Sequence, residues 1–548
     1  MGGSASLWAT PDYRSDPREI FNRKLCFVVF GAMLAGCFYG FDTGNIGGVL
    51  TLPAFKHAFG FQNLTPDEAD GRKGDIAAML AAGGSVGALL AAPVADFFGR
   101  KVALLTYGLV FLAGAVMQEF PNLPLFLAGR FIAGLAVGAT STLTPTFLSE
   151  WAPKSIRGSC TALYNTAIIT CLALAFWINY GVSRWSYNKE EHSNKQWQFS
   201  LGVQMIPGFL FVSMIAFAPE SARYLISHSK RETGLKNLCA VRKLDRDHPY
   251  LATEYQEICA QVDAEQEIKA GHSFLQILKD IFLNASNRRR FTLAVLLFLF
   301  HKLTGTDSIN YFAPEIFQMI GVKGTSTSLL TTGVYGLVKL GATLIYVGVI
   351  IDRVGRRVPL LIGATIQATA MMYIGLYIRF DNPASHEGDG VAAGGIVGIV
   401  WVYMYAVGWS IGHSVAPYVV AAEIFPSRIR STCIGFCLFV NWIVDYGITK
   451  ATPQMMTHMG YGTFVFFGIC TYVGVVWIFF CLPELKGRSI ESMDDLFEKS
   501  LWTMWKHAYP TEEEKTRHGI TQQIKGGDVE TAGQMDSKHA DTVHIENR

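Results

Sequence analysis

Apolar runs of about 20 residues recur along the whole chain, separated by short polar links, and about 20 residues is the length an α-helix needs to cross a bilayer core. In lipid each run must satisfy its own backbone N–H and C=O groups, so it folds as a helix. Twelve spans are expected. Six lie at 26–49, 75–95, 102–119, 124–148, 159–181 and 198–218, and six at 291–317, 325–351, 358–379, 392–420, 431–450 and 461–482. Half of the residues are hydrophobic, which a large soluble α/β protein would match. Distribution decides between the two. Charged residues are only 16%, against about 25% in soluble domains, and they gather in short links, one central block and the two ends.

Several function classes drop out early. A net charge of +2 leaves no basic footprint for nucleic acid. The ten cysteines form no CxxC pair and no zinc spacing, and most fall inside apolar runs as small buried hydrophobes. No GxxxxGK[ST] loop is present, so ATP-driven chemistry is not expected, and no cofactor is implied. The polar first two dozen residues carry no cleavable signal pattern.

Lys and Arg set the orientation. "FFGRK", "APKSIRG", "DRVGRRV" and "FPSRIRS" must share one side with the basic N-terminal flank and with "NRRRF" of the central block. A multi-pass protein with both termini in the cytoplasm follows. Asn63, in the sequon "NLT", then lies outside as a glycosylation candidate, whereas Asn284, in "NAS", lies inside. The expected organisation is a cytoplasmic segment 1–24, a six-helix half 25–218, a cytoplasmic helical insert 219–290, a second six-helix half 291–483 and a tail 484–548, disordered beyond 510.

The halves echo each other. "DFFGRK" (Asp96, Arg100) matches "DRVGRR" (Asp352, Arg356). "SEWAPKSIRG" (Glu150, Arg157) matches "AEIFPSRIRS" (Glu423, Arg430), and "PESAR" (Glu220) matches "PELKGR" (Glu484). The offsets are 256, 273 and 264 residues. Parallel repeats of six spans are the signature of a rocking secondary transporter with its site at the midplane. These charges either serve topology alone or pair across the halves as a latch that breaks when the inner side opens.

Together with "GFDTG", "GRFIAGLAVG", "TGTDSINYFAPEIF", the "NW" of span eleven and "PELKGRS", these motifs make residues 25–500 resemble the sugar-porter family of the major facilitator superfamily. "FWINYG", "YVVAAEIFP" and "TGTSTSLLTTGVYGLVKLG" resemble fungal permeases for quinate and for sugar acids such as galacturonate. The resemblance implies an all-α membrane protein of twelve transmembrane helices, working in the plasma membrane, as a monomer, on a small polyhydroxylated solute. It also implies a polar pocket. Asn165 stands where the family often has Gln, and His301 and Lys302 where it has a Gln pair. Asp307 stands for an Asn and Tyr418 for a sugar-stacking Trp, while Tyr311, Asn441 and Trp442 match.

Charge has therefore replaced neutral amides in "HKLTGTD". An ammonium only donates, and in a cavity it suits a carboxylate. Lys302 either binds a substrate carboxylate or is neutralised by Asp307 across a helix broken near Gly305. Asp42, in "FYGFDTG", and Arg130, in "AGRFIAG", lie deep in spans one and four, where charges are costly and usually functional. They are either a static pair or, as in proton-coupled members of the family, the coupling pair. The resulting expectation is proton symport of a sugar acid or quinate-type anion. The alternatives are a neutral hexose, pentose or polyol carrier, a facilitator, or a transporter-like nutrient sensor. An enzyme is not expected.

Overall fold

The computed structural model describes residues 16–185, 193–270, 274–350, 354–383, 391–485, 493, 496–499, 501–509 and 511. The N-terminal half contains α1 (Arg23–Val49), the short α2 (Pro53–Ala58), α3 (Pro66–Phe98), α4 (Arg100–Met117), α5 (Leu123–Trp151), α6 (Arg157–Ser183), α7 (Lys195–Gly202) and α8 (Met205–Phe217). The insert supplies α9 (Ala222–Ser227), α10 (Arg231–Arg242), α11 (Pro249–Ala270) and α12 (Phe274–Leu283). The C-terminal half contains α13 (Ala285–Leu303), α14 (Thr306–Met319), α15 (Thr325–Ile345), α16 (Arg357–Asp381), α17 (Ala393–Gly412), α18 (Ala416–Ile424), α19 (Ser427–Met459) and α20 (Tyr461–Cys481). The tail beyond 510, expected to be disordered, lies outside the described residues apart from Thr511.

Eleven helical stretches among the described residues are long and apolar enough to cross a membrane. The seventh expected span, 291–317, is not one continuous helix. It breaks at Thr304–Gly305, where Gly305 takes φ +81°, a conformation that a side chain would strain. The freed backbone is satisfied in place: Thr304 Oγ1 donates to the His301 carbonyl (2.7 Å), and the Tyr405 hydroxyl donates to the Thr304 carbonyl (3.0 Å). A second break, at His413–Val415, divides span ten into α17 and α18.

Two helices outrun their expected limits. α3 and α19 each have 33 residues, about 50 Å at 1.5 Å per residue, against a hydrocarbon core of about 30 Å. The start of α3 is fixed by a capping box, in which Thr65 N–H donates to Glu68 (2.9 Å) and Glu68 N–H donates to the Thr65 hydroxyl (3.4 Å). Inside the N half, α3 and α5 touch backbone to backbone. A Cβ on Gly83 or Gly138 would sit 2.0 Å from a carbonyl oxygen of the other helix, the close approach that small residues allow in membranes.

The insert docks on both halves. Arg242 donates to the Trp151 carbonyl (2.8 Å) and pairs with Glu254 (2.6 Å), while Asp280 pairs with Arg428 of α19 (2.5 Å). The face carrying the insert is called the insert face below, and the opposite one the far face.

Candidate functional site

The sequence repeat has a local structural cause at the insert face. Glu220 accepts from the Arg100 and Lys101 amides at the start of α4 (3.1 Å each), and Glu484 accepts from the Arg356 and Arg357 amides at the start of α16 (3.0 Å each). A carboxylate is favoured at a helix N-terminus. Gly99 and Gly355 make room for it, since a Cβ there would meet the carboxylate at 2.4 and 2.5 Å. Arg100 then pairs with Asp96 (2.9 Å) and Glu150 (3.5 Å), and Arg356 with Glu423 (2.8 Å).

All of these pairs stay within one half, so in this conformation they are not the cross-half latch that the repeat suggested. Glu150 Oε2, Glu423 Oε2, Arg100 Nε and Arg356 Nε are buried without hydrogen-bond partners. Arg157 opens α6 as an exposed residue, and Arg430 donates to the Phe425 carbonyl (3.0 Å). Asp352 lies outside the described residues.

The halves meet instead at the far face. Lys73 pairs with Glu315 (3.0 Å), Lys450 with Asp75 (2.7 Å) and His458 with Asp67 (3.1 Å). Thr457 donates to Asp70. These residues lie on the extensions of α3 and α19 and on α14. Asn63, exposed, lies just before α3.

Between the two faces lies the N-half pair. Arg130 donates to Asp42 Oδ2 at 2.7 Å, and both side chains are fully buried. Arg130 is also held by the Ile76 (2.9 Å) and Ala77 (3.1 Å) carbonyls of α3. Among the described residues Asp42 Oδ1 has no hydrogen-bond partner. The arginine would thus keep two anchors if the carboxylate became neutral, and the carboxylate has a free oxygen for a proton.

In the C half the broken span brings Lys302 onto Asp307 (2.7 Å), and Asp445 of α19 joins from the other side (2.9 Å). The Lys302–Asp307 contact expected across the helix break is present. Asp445 is fixed in turn by Thr449 (3.0 Å). The other expected pocket residues surround this triad. Trp442 lies with its ring 5.9 Å from the Lys302 ammonium and 5.3 Å from Tyr39 of α1. His301 faces His413 (5.7 Å) and the edge of Tyr418 (6.1 Å). Tyr418 is itself partly exposed. Asn165 reaches across the halves to donate to Ser414 (2.9 Å), at the break in span ten. Tyr311 OH, Asn441 Oδ1 and His301 Nδ1 are buried without hydrogen-bond partners.

Two charged residues escaped the sequence reading: Asp445, in "NWIVDYG", and Lys339, in "GLVKLG". Lys339 is buried on α15. Its ammonium donates to Asn310 Oδ1 (2.9 Å) and lies 3.9 Å from the centre of the Trp409 ring. The signal was available: a lone charge inside an apolar span, the rule that singled out Asp42 and Lys302.

A family model described as "Sugar (and other) transporter" matches residues 28–497. A protein named "Probable quinate permease" from Aspergillus fumigatus is 36% identical over 527 residues, 94% of this chain and 96% of that one. The "Quinate permease" of Emericella nidulans is 34% identical, over 90% of this chain and 92% of its own. Among solved structures, the xylose transporter XylE of E. coli in a partially occluded inward-open conformation superposes with a TM-score of 0.71 at 23% identity, covering 85% of this chain and all of that one. XylE described as a proton:xylose symporter gives 0.70 at 24% identity, with 86% and 99% covered. The chain belongs to the sugar transporter family of the major facilitator superfamily, and it is a membrane transporter rather than an enzyme.

Proposed function

We propose that this transporter takes up a polyhydroxylated monocarboxylate, of the quinate or galacturonate kind, by proton symport and alternating access. It works as a monomer in the plasma membrane, with both termini and the insert in the cytoplasm. One observation carries the reading. Between the two faces the buried charges among the described residues are Asp42, Asp307 and Asp445 against Arg130, Lys302 and Lys339. These charges sum to zero. A net charge in a low-dielectric interior costs several kcal/mol. A proton on Asp42 adds one positive charge and a monocarboxylate removes it, so loading both together keeps the interior neutral. Loading either alone does not.

Helix α1 supplies a mechanical link. It carries Asp42, and it also carries Tyr39 against Trp442 and Gly47 against the Tyr311 carbonyl. Loosening of the Asp42–Arg130 pair on protonation would therefore move a helix that touches the solute pocket. The unpartnered hydroxyl and amide atoms of Tyr311 and Asn441 suit solute hydroxyls, which also supports the second reading, a neutral sugar or polyol.

The test is uptake of labelled quinate by the full-length chain in proteoliposomes. Accumulation above equilibrium under an inward proton gradient, abolished by a protonophore, is expected, with competition by galacturonate and not by glucose. Equal uptake with and without the gradient would make the protein a facilitator. Competition by glucose alone would favour the neutral solute.

A further inference from the structure

The three interior cations are not equivalent. Arg130 has one carboxylate and Lys302 has two. Lys339 has none within 4 Å among the described residues, and it is 1% exposed. A buried ammonium without a counterion is expensive, because its neighbours must replace water's solvation. Here they do so only in part. Asn310 supplies one acceptor, which it shares with the Tyr335 hydroxyl (3.2 Å), and Trp409 supplies a ring face. The position is held firmly all the same. The Lys339 carbonyl accepts from Thr343 (2.8 Å) and from Ser410 of α17 (3.2 Å).

The surroundings lack partners too. His413, which caps the end of α17, lies four residues beyond Trp409 and donates its N–H to the Trp409 carbonyl (2.9 Å). The Trp409 Nε1, Gln367 Oε1 and His301 Nδ1 atoms are all buried without hydrogen-bond partners, while Gln367 and His413 lie 3.3 Å apart. An under-solvated cation beside several unused polar atoms is the arrangement of a site short of a polar, negatively charged guest.

We propose that Lys339 receives the carboxylate of the transported solute, and that Asn310 and Trp409 hold its ammonium in the unloaded state. This rests on the acid reading above and moves its anion site from Lys302, whose charge Asp307 and Asp445 already more than balance, to the eighth span. Lys302 then serves as the positioning residue that gathers the broken seventh span against α19.

The experiment measures binding of quinate and of its uncharged methyl ester to the purified full-length chain, as wild type and as the variants Lys339→Gln, Asn310→Asp and Lys302→Gln. Loss of a charge-assisted hydrogen bond should weaken quinate about tenfold to a hundredfold in Lys339→Gln and leave the ester unchanged. Asn310→Asp gives the ammonium an internal carboxylate at the distance where it now meets an amide oxygen. It should displace quinate to a similar degree, and it removes no charge pairing on which folding depends, so it carries the test if Lys339→Gln does not fold. Quinate binding that survives both changes, or a loss shared equally by acid and ester, would overturn the assignment. If it survives both, and Lys302→Gln abolishes quinate binding while the ester still binds, the anion site returns to Lys302 and the acid reading stands. Wild type that binds the ester but not quinate would instead overturn the acid reading itself.

Discussion

The two halves are built alike at their ends and differently at their centres. At the insert face each has a glycine, a carboxylate seated on a helix N-terminus and an Arg–Glu pair: Gly99, Glu220, Arg100 and Glu150 in one, Gly355, Glu484, Arg356 and Glu423 in the other. Midway across, the N half has a one-to-one pair, Asp42 with Arg130. Among the described residues the C half has Lys302 with two carboxylates and Lys339 with none within 4 Å. Parts that move must match on both sides of a rocking machine, so the repeat keeps them. Parts that hold cargo need not match. On the function proposed above, the proton belongs to the first half and the solute's charge to the second.

The sharpest way to break this division is Asp42→Asn. Gradient-driven accumulation should vanish completely, while solute exchange across proteoliposomes at equal pH persists. Undiminished accumulation would mean that the N-half pair is only structural.

Lys302→Gln attacks the other centre. It leaves Asp307 and Asp445 buried without their cation, and breaking a buried pair in this way costs about 3–5 kcal/mol. The yield of monodisperse protein and its melting temperature should both fall. Adding Asp307→Asn and Asp445→Asn should restore them, because no isolated charge then remains. Failure of that rescue would show that the triad does more than neutralise itself.

A smaller effect tests the likeness of the ends. Glu150→Gln and Glu423→Gln should each raise the labelling of cysteines introduced on the insert face, by a similar few-fold factor. A response in one half only would break the symmetry, and no response in either would reduce these residues to topology.

Much of this was legible in the sequence because lipid enforces it. Helices, their order and the repeat all follow from apolar run length and from motifs at near-constant offset. Lone charges such as Asp42 and Arg130 stood out for the same reason. What stayed hidden depends on partners distant in the chain. The pairing of Lys302 needed Asp445, 143 residues away, and a helix break whose closure Tyr405 completes. The motifs reveal which residues can pair, while the conformation decides whether they meet across the halves. Asp445 and Lys339 were visible as single charges in apolar spans.

The far-face seam between the halves has a consequence of its own. It continues inward to the solute pocket, and along that length the halves meet at three residues that carry only hydrogen where others carry carbon: Gly74 at the far face, Gly47 and Gly84 beside the pocket. A Cβ on Gly47 would lie 2.3 Å from the Tyr311 oxygen, one on Gly74 2.4 Å from the Lys450 oxygen, and one on Gly84 2.7 Å from the Trp442 ring. The joint is thus machined to a clearance smaller than a methyl group. Ion pairs such as Lys73–Glu315 hold it shut, but its fit is a matter of volume, so even the smallest added side chain would act as a wedge and tilt the resting balance of the transporter toward the opposite side of the membrane.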